Sequence, residues 1–197
     1  MTSSPQNRTA FAVVFDLEFT AWESSMASRW LRPGEFREVV QIGAVKVDGN
    51  FNTGETFDVL VRPRLNPVLS PYLERLTGIS NEALRARGVD FAEAYSAFLA
   101  FADGLPIVAF GRDDLVLVDN LRLYGMNEAP PLPPYLNATI WLADQGLDMR
   151  GLHACDVASA AGVAFGGHRH NGLDDALSVA TGIAALIARG ASSPLAA

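Results

Sequence analysis

Apolar and polar positions alternate with two different rhythms along this chain. In the first third, short apolar runs recur between turn signals: residues 11–15 within the stretch 10–20, then 39–47, then 56–61. Runs of this length, rich in Val and Phe, predict strands. Asp48-Gly49-Asn50 is a hairpin-type turn, so the first three strands form a meander of mostly antiparallel pairs. A loop over 21–38 carries Trp22, Trp30 and a Pro33-Gly34 turn signal. After Pro67 the period lengthens. Ser70 caps a helix that Pro71 opens and Gly78 stops. A short helix follows over 81–86. Phe91, Tyr95, Phe98 and Leu99 then fall at helical spacing over 91–102. PIVAF, 106–110, is a short strand closed by Gly111, and a helix runs over about 112–124. The proline-rich 127–134 is a loop, 135–142 fits either a strand or a helix, and 152–161 looks helical. Residues 171–189 form the clearest helix, with one apolar stripe from Leu173 to Ile187. Strands first, then strands interleaved with helices, predict an α/β fold with a mixed sheet. One domain is expected over 10–189, with flexible tails at 1–9 and 190–197.

Three acidic sites fall at element boundaries. The first strand ends in Asp16-Leu17-Glu18, whose carboxylates share one face because strand side chains alternate. Two charges on one face of a buried strand are costly unless something neutralises them, and Mg²⁺ takes hard oxygen ligands. The bland alternative is a strand end emerging into solvent. Next, Asp113-Asp114 follows PIVAF, and open α/β sheets bind ligands beyond the carboxyl ends of their strands. Asp114 heads the apolar stripe Leu117, Val118, Leu121, whereas Asp113 shares its side with Val116, Leu117 and Asn120, a more mixed set. The expected inward acid is therefore Asp114. Finally, Gly166-Gly167 delivers His168-Arg169-His170 to the last helix. Asn171 is the expected N-cap, and Asp174 or Asp175 falls in its first turn, where the helix dipole favours a carboxylate. Taken alone, the Asp113-Asp114 pair reads first as a solvent-exposed pair stabilising a helix N-terminus, and ordinary helix capping also accounts for the last site. His153 is expected to be a partly exposed helical residue without a role.

Composition narrows the chemistry. A net charge of −7 over 197 residues disfavours gripping long duplexes through many phosphate contacts. It leaves room for a small pocket that takes one strand end. No stretch approaches ~18 uninterrupted apolar residues, the N-terminal MTSSPQNRT has no apolar signal core, and Cys155 is the single cysteine. A cytoplasmic protein with no membrane partner is expected. Four acids and a histidine at element boundaries are the inventory for hydrolysing a phosphodiester with two divalent ions, Mg²⁺ or Mn²⁺, and a histidine that deprotonates the attacking water.

The order D-x-E, a mid-chain Asp opening a helix, then H-x-x-x-x-D resembles the DEDDh (DnaQ-like) 3′–5′ exonucleases of the ribonuclease H-like fold. AFAVVFDLEFT is similar to their first motif, IVAFGRDDLVLV to their second and HNGLDDA to their third. Arg62-Pro63, Asn66-Pro67, Leu69-Ser70 and Leu76-Thr77-Gly78-Ile79 resemble the ERI-1/KapD-like branch. The likeness spans nearly the whole chain, about 11–186. It implies a three-layer fold with a mixed five-stranded sheet flanked by helices, and cleavage from the 3′ end of single-stranded RNA or DNA. It further implies Asp16, Glu18, Asp114 and Asp175 as metal ligands and His170, five residues before Asp175, as the general base. His168 and Asp174 are left without a catalytic role. Phe19, Thr20 and Trp22 border the substrate's 3′ end in this reading, with Trp22 either a stacking platform for a base or simply core. Two rivals stand beside it: a nucleic-acid-binding module on the same fold with catalysis lost, and a ribonuclease H-type endonuclease.

Overall fold

The protein is described here from a computed structural model, over residues 11–196. The tail expected over 1–9 lies outside the described residues. Strand β1 (Ala12–Phe19) is buried along nearly its whole length and sits at the centre of a five-stranded sheet ordered β3-β2-β1-β4-β5. It pairs antiparallel with β2 (Val39–Val47), which pairs antiparallel with β3 (Thr53–Leu60). On its other side β1 runs parallel to β4 (Ile107–Ala109), and β4 runs parallel to β5 (Tyr135–Asn137). The sheet is mixed, as the sequence pattern predicts. The 48–52 turn is held by Asp48, which accepts hydrogen bonds from the Asn50 and Asn52 amides, while Phe51 takes a left-handed φ of 62°.

Between β1 and β2 the chain makes an excursion holding a single short turn of helix, α1 (Ser25–Ser28). Helices α2 (Pro71–Thr77), α3 (Asn81–Arg87) and α4 (Phe91–Ala102) follow β3. The Ser70 hydroxyl accepts from the Leu73 amide and Gly78 closes α2 at φ 72°, the cap pair expected from sequence. Helix α5 (Asp113–Leu123) leaves the end of β4. The ambiguous stretch 135–142 is both things in turn: β5, then α6 (Ala138–Asp144), with Asn137 accepting from the Thr139 amide as the hinge. The predicted 152–161 helix is a 3₁₀ turn, Ala154–Asp156, running into α7 (Val157–Ala160). Helix α8 (Gly172–Ala188) is the longest, and beyond it Leu195 packs against the apolar cluster beneath α8.

The odd residues of β1, Val13, Phe15 and Leu17, bury against α4 and α5. Ala12 and Val14 bury against α6, α7 and α8 on the opposite face. Helices therefore cover both faces of the sheet, giving the three layers. One buried carboxylate outside the core clusters ties distant segments together. Glu38, fully buried, accepts from the Arg64, Leu65 and Asn66 amides at 2.7, 2.8 and 2.6 Å, from the Asn66 side chain, and from the Tyr124 hydroxyl at 2.6 Å. A charge taken out of water is tolerated here because five donors replace its hydration.

Candidate active site

Asp16 and Glu18 lie on the face of β1 that α8 covers. They sit beyond Val13 and Val14, the residues through which β1 pairs with β4, and therefore at the open carboxyl end of the parallel strands. Opposite them in the β1–β2 ladder are Gly43 and Gln41. Both partners dock α8. A methyl at Gly43 would lie 2.0 Å from the Leu173 nitrogen, and one at Gly172 would lie 3.1 Å from the Asp16 carbonyl oxygen. Helix start and sheet thus meet backbone to backbone, which only glycine allows. Gln41, buried, accepts from the Gly172 amide at 2.9 Å and donates to Asp58 at 2.8 Å. With the start of α8 pinned in this way, Asp175 comes to Asp16 and Glu18. His170 precedes it at a left-handed φ of 57°.

The fourth acid comes from α5, and here the sequence expectation is corrected. Asp113 lines the cleft; Asp114 does not. Asp114 turns back to Arg112, which grips both its oxygens at 2.8 Å. The stripe argument failed at Asn120. Its polarity makes the Asp113 side look mixed, yet it is fully buried, donating to the Arg37 and Val116 carbonyls and accepting from the Val39 amide. The buried face of α5 is therefore Val116, Leu117 and Asn120, and Asp113 heads it.

The four carboxylates, His170 and His153 line a cleft of about 430 Å³. Apolar side chains line it as well: Trp22, Met26, Trp30, Tyr72 and Leu76. Phe19 also lines it, whereas Thr20 does not. The Thr20 hydroxyl is spent on the fold, donating to the Phe36 carbonyl and accepting from the Glu38 amide at 3.0 Å. His153 and Trp30 are among the cleft residues to which the sequence attached no role. His153 sits at the start of the 3₁₀ turn with its ring edge-on to that of His170, centroids 6.0 Å apart, and no sequence spacing signals this. His168 and Asp174 serve the loop: the His168 amide donates to the Asp174 carboxylate at 2.7 Å.

The acids are electrostatically strained as they stand. Burial, then Asp113, Glu18 and Asp175, push Asp16 well above the usual carboxylate range. Burial, then Asp175 and Asp113, do the same to Glu18. Burial lifts Asp113 to about 7, opposed in part by a hydrogen bond from the Leu17 backbone. Burial also lifts Asp175 to about 7, opposed by the His170 backbone. Desolvation, then the neighbouring His153 and Arg169, lower His170. Asp175 Oδ1 is buried with no hydrogen-bond partner among the described residues. One oxygen each of Glu18 and Asp175 and a ring nitrogen of His170 lie within 4.8 Å of one another. Crowded carboxylates with an orphaned oxygen are a donor set that fits a hard divalent cation.

Comparison with known proteins bears on the family and the fold. The sequence profile of the Exonuclease (RNase_T) family matches residues 13–181. No curated protein sequence matches the chain significantly. Among solved structures, the nuclease domain of 3′hExo, a DEDDh family member bound to rAMP, is similar with a TM-score of 0.78 at 18% identity, covering 95% of this chain and 96% of that one. Cell-death related nuclease 4 (CRN-4) is similar with a TM-score of 0.73 at 21% identity, over 93% of this chain and 65% of that one. The E. coli ExoI–ssDNA complex, in a zinc-bound form, gives 0.66 at 16% identity, over 92% of this chain and 41% of that one. These likenesses establish the ribonuclease H-like fold. The profile match over residues 13–181 goes further than the fold: the chain belongs to the Exonuclease (RNase_T) family of nucleases.

Proposed function

We propose that this protein is a 3′–5′ exonuclease that removes nucleotides from the 3′ end of single-stranded nucleic acid. The observation that carries the proposal is the convergence of Asp16, Glu18, Asp113 and Asp175 around an unpartnered buried oxygen, with His170 beside them. In this reading the four carboxylates would hold two divalent ions, Mg²⁺ or Mn²⁺. Bound there, such ions would neutralise the acids and stabilise the charge that develops on the phosphoryl oxygens. His170, biased towards its neutral form, accepts a proton from the attacking water on its unprotonated ring nitrogen. The water oxygen bonds to phosphorus, the bond to the 3′ oxygen of the preceding nucleotide breaks, and a nucleoside 5′-monophosphate leaves. The apolar side chains of the cleft, Phe19, Trp22 and Trp30 among them, hold the terminal base and exclude water from it. What the related structures were solved with, rAMP in one case and single-stranded DNA in another, supports a strand end as the substrate class.

A digest of 5′-labelled single strands with Mg²⁺ or Mn²⁺ tests the proposal. Shortening in single-nucleotide steps is expected. Internal cuts would make the protein an endonuclease, and retained binding without product would make it a binding module. His170→Ala should lower kcat by about 10²–10⁴-fold. Its residual rate should rise with pH as hydroxide substitutes for the missing base.

A further inference from the structure

Trp30 is a wall of two cavities. One is the acid cleft; the other, about 260 Å³, opens behind it and is lined by Arg29, Trp30, Glu35, Phe36, Arg37, Asp119 and Leu123. The indole is fixed in place: its Nε1 donates to the Thr20 carbonyl at 2.8 Å, and Phe19 meets it edge-on with centroids 5.5 Å apart. Arg29 and Trp30 are consecutive residues with left-handed φ, 52° and 56°, a conformation non-glycine side chains rarely adopt even singly. The turn is over-determined by the Trp30 and Leu31 amides, which donate to the Ser25 and Ser28 carbonyls. Strain kept in place by so many bonds is a mark of functional positions.

The charges of the second cavity are unequally committed. Asp119 is engaged by Arg37 at 2.8 Å and by Arg122 at 3.6 Å, whereas Glu35 accepts only from the Ser28 hydroxyl, at 3.1 Å. Arg29 is exposed and has no carboxylate partner among the described residues. The helix that carries Asp113 into the first cavity carries Asp119 into the second, a displacement of about 9 Å along α5. The second cavity is thus one step beyond the first, across an aromatic plane, with an unpaired guanidinium at its mouth.

We propose that this cavity receives the nucleic-acid strand upstream of the cleaved bond, with Arg29 on a phosphate and Trp30 separating the terminal nucleotide from its neighbour. The inference rests on the strand-end reading above and adds a specific path to it. Guanidinium forks suit phosphate oxygens, and base–aromatic stacking tolerates any sequence. A single engaged arginine also fits a protein whose net charge of −7 discourages a long phosphate track.

The experiment compares two substrates under Mn²⁺: a single-stranded decamer, and the p-nitrophenyl ester of thymidine 5′-monophosphate, which has no upstream strand. Arg29→Glu should raise the ratio of decamer KM to ester KM about tenfold. Arg29→Ala should lower the salt slope of decamer binding by about 0.7, the value for one single-strand phosphate contact. Arg29→Lys should recover most of the ratio. Arg87→Glu makes the same charge change on exposed α3, outside both cavities, and should leave the ratio as in the wild type. If the wild type cleaves both substrates and Arg29→Glu leaves the ratio where Arg87→Glu does, the upstream path is refuted and the exonuclease reading survives. If the wild type cleaves neither, both readings fall.

Discussion

Helices α5 and α8 each open on a pair of adjacent aspartates, and in each pair one acid enters the cleft while the other holds local structure. The order is reversed. In α5 the first, Asp113, faces the cleft and the second, Asp114, pairs with Arg112. In α8 the second, Asp175, faces the cleft and the first, Asp174, accepts from the His168 amide. The docking devices differ as well. Helix α8 is seated by the absence of side chains at Gly43 and Gly172, whereas α5 is seated by the presence of one, Asn120. Position within a pair therefore says nothing about which acid is inward; the packed face of the helix decides it.

The sharpest way to break this comparison is to neutralise all four acids one at a time. Asp113→Asn and Asp175→Asn should each lower kcat on the order of 10³-fold, because each removes a charged oxygen from the proposed ion site. Asp114→Asn and Asp174→Asn should each cost less than about fivefold, since an acid at a helix start contributes about 0.3–1 kcal/mol. Steady-state kinetics beside Mn²⁺ titrations would measure this, and the reverse result at 113 and 114 would restore the register expected from sequence.

The docking devices come next. Gly43→Ala should destabilise the protein by at least about 3 kcal/mol, because the added methyl meets α8 backbone that cannot yield. Asn120→Ala should cost about 2–4 kcal/mol, leaving the Val39 amide and Arg37 carbonyl unpaired in the interior. Urea unfolding checks both. Activity surviving Gly43→Ala at folded concentrations would show that α8 docking does not position Asp175.

A third test reads the shared charge of the two helices through pH. Asp113 and Asp175 have native pKa values raised to about 7. The native state therefore holds protons that the unfolded chain has released, and metal-free stability falls as pH rises from about 4 to about 7. His170, lowered in the native state, acts in the opposite sense just below its unfolded value. The Tm of metal-free protein should be higher near pH 5 than near pH 8 by at least about 4 °C. Asp113→Asn should flatten this difference, and saturating Mn²⁺ should abolish it. A metal-free Tm that does not fall with pH would mean the acids are not crowded as described. The smallest effect expected is that of Arg112→Ala. It removes an ion pair whose arginine is 55% exposed, and the shift of the urea midpoint should be smaller than for either docking variant.

Most of the scaffold was legible because local chemistry and tertiary environment agree there. The strand 39–47, the Ser70–Gly78 cap pair and the helix over 91–102 coincide with the structure residue for residue. In α8 the residues alone leave Asp174 and Asp175 open, and only the family resemblance, through the spacing of His170 to Asp175, favours the acid that the structure places in the cleft. What was hidden depended on polar groups satisfied by distant partners. Asn120 makes the Asp113 side of α5 read as mixed because its partners, Arg37 and Val39, lie more than 80 residues away in sequence. Thr20 looked available for substrate because the Phe36 and Glu38 backbone that occupies it follows a long excursion. The meeting of His153 with His170 is set by a 3₁₀ turn that a periodicity reading takes for regular helix.

The buried clasp of Glu38 carries a consequence of a different kind. Its donors come from 26 to 86 residues away, so the clasp closes only after those segments have already met. Interactions completed after the rate-limiting barrier leave folding rates almost untouched and act on the rate of escape from the native state. Glu38 joins the start of β2, the 64–66 loop and the end of α5, and through Thr20 it also reaches the segment that carries Trp22 and Trp30. The clasp is therefore expected to act on the lifetime of the assembled cleft, so Glu38→Gln should speed unfolding far more than it slows folding in stopped-flow measurements.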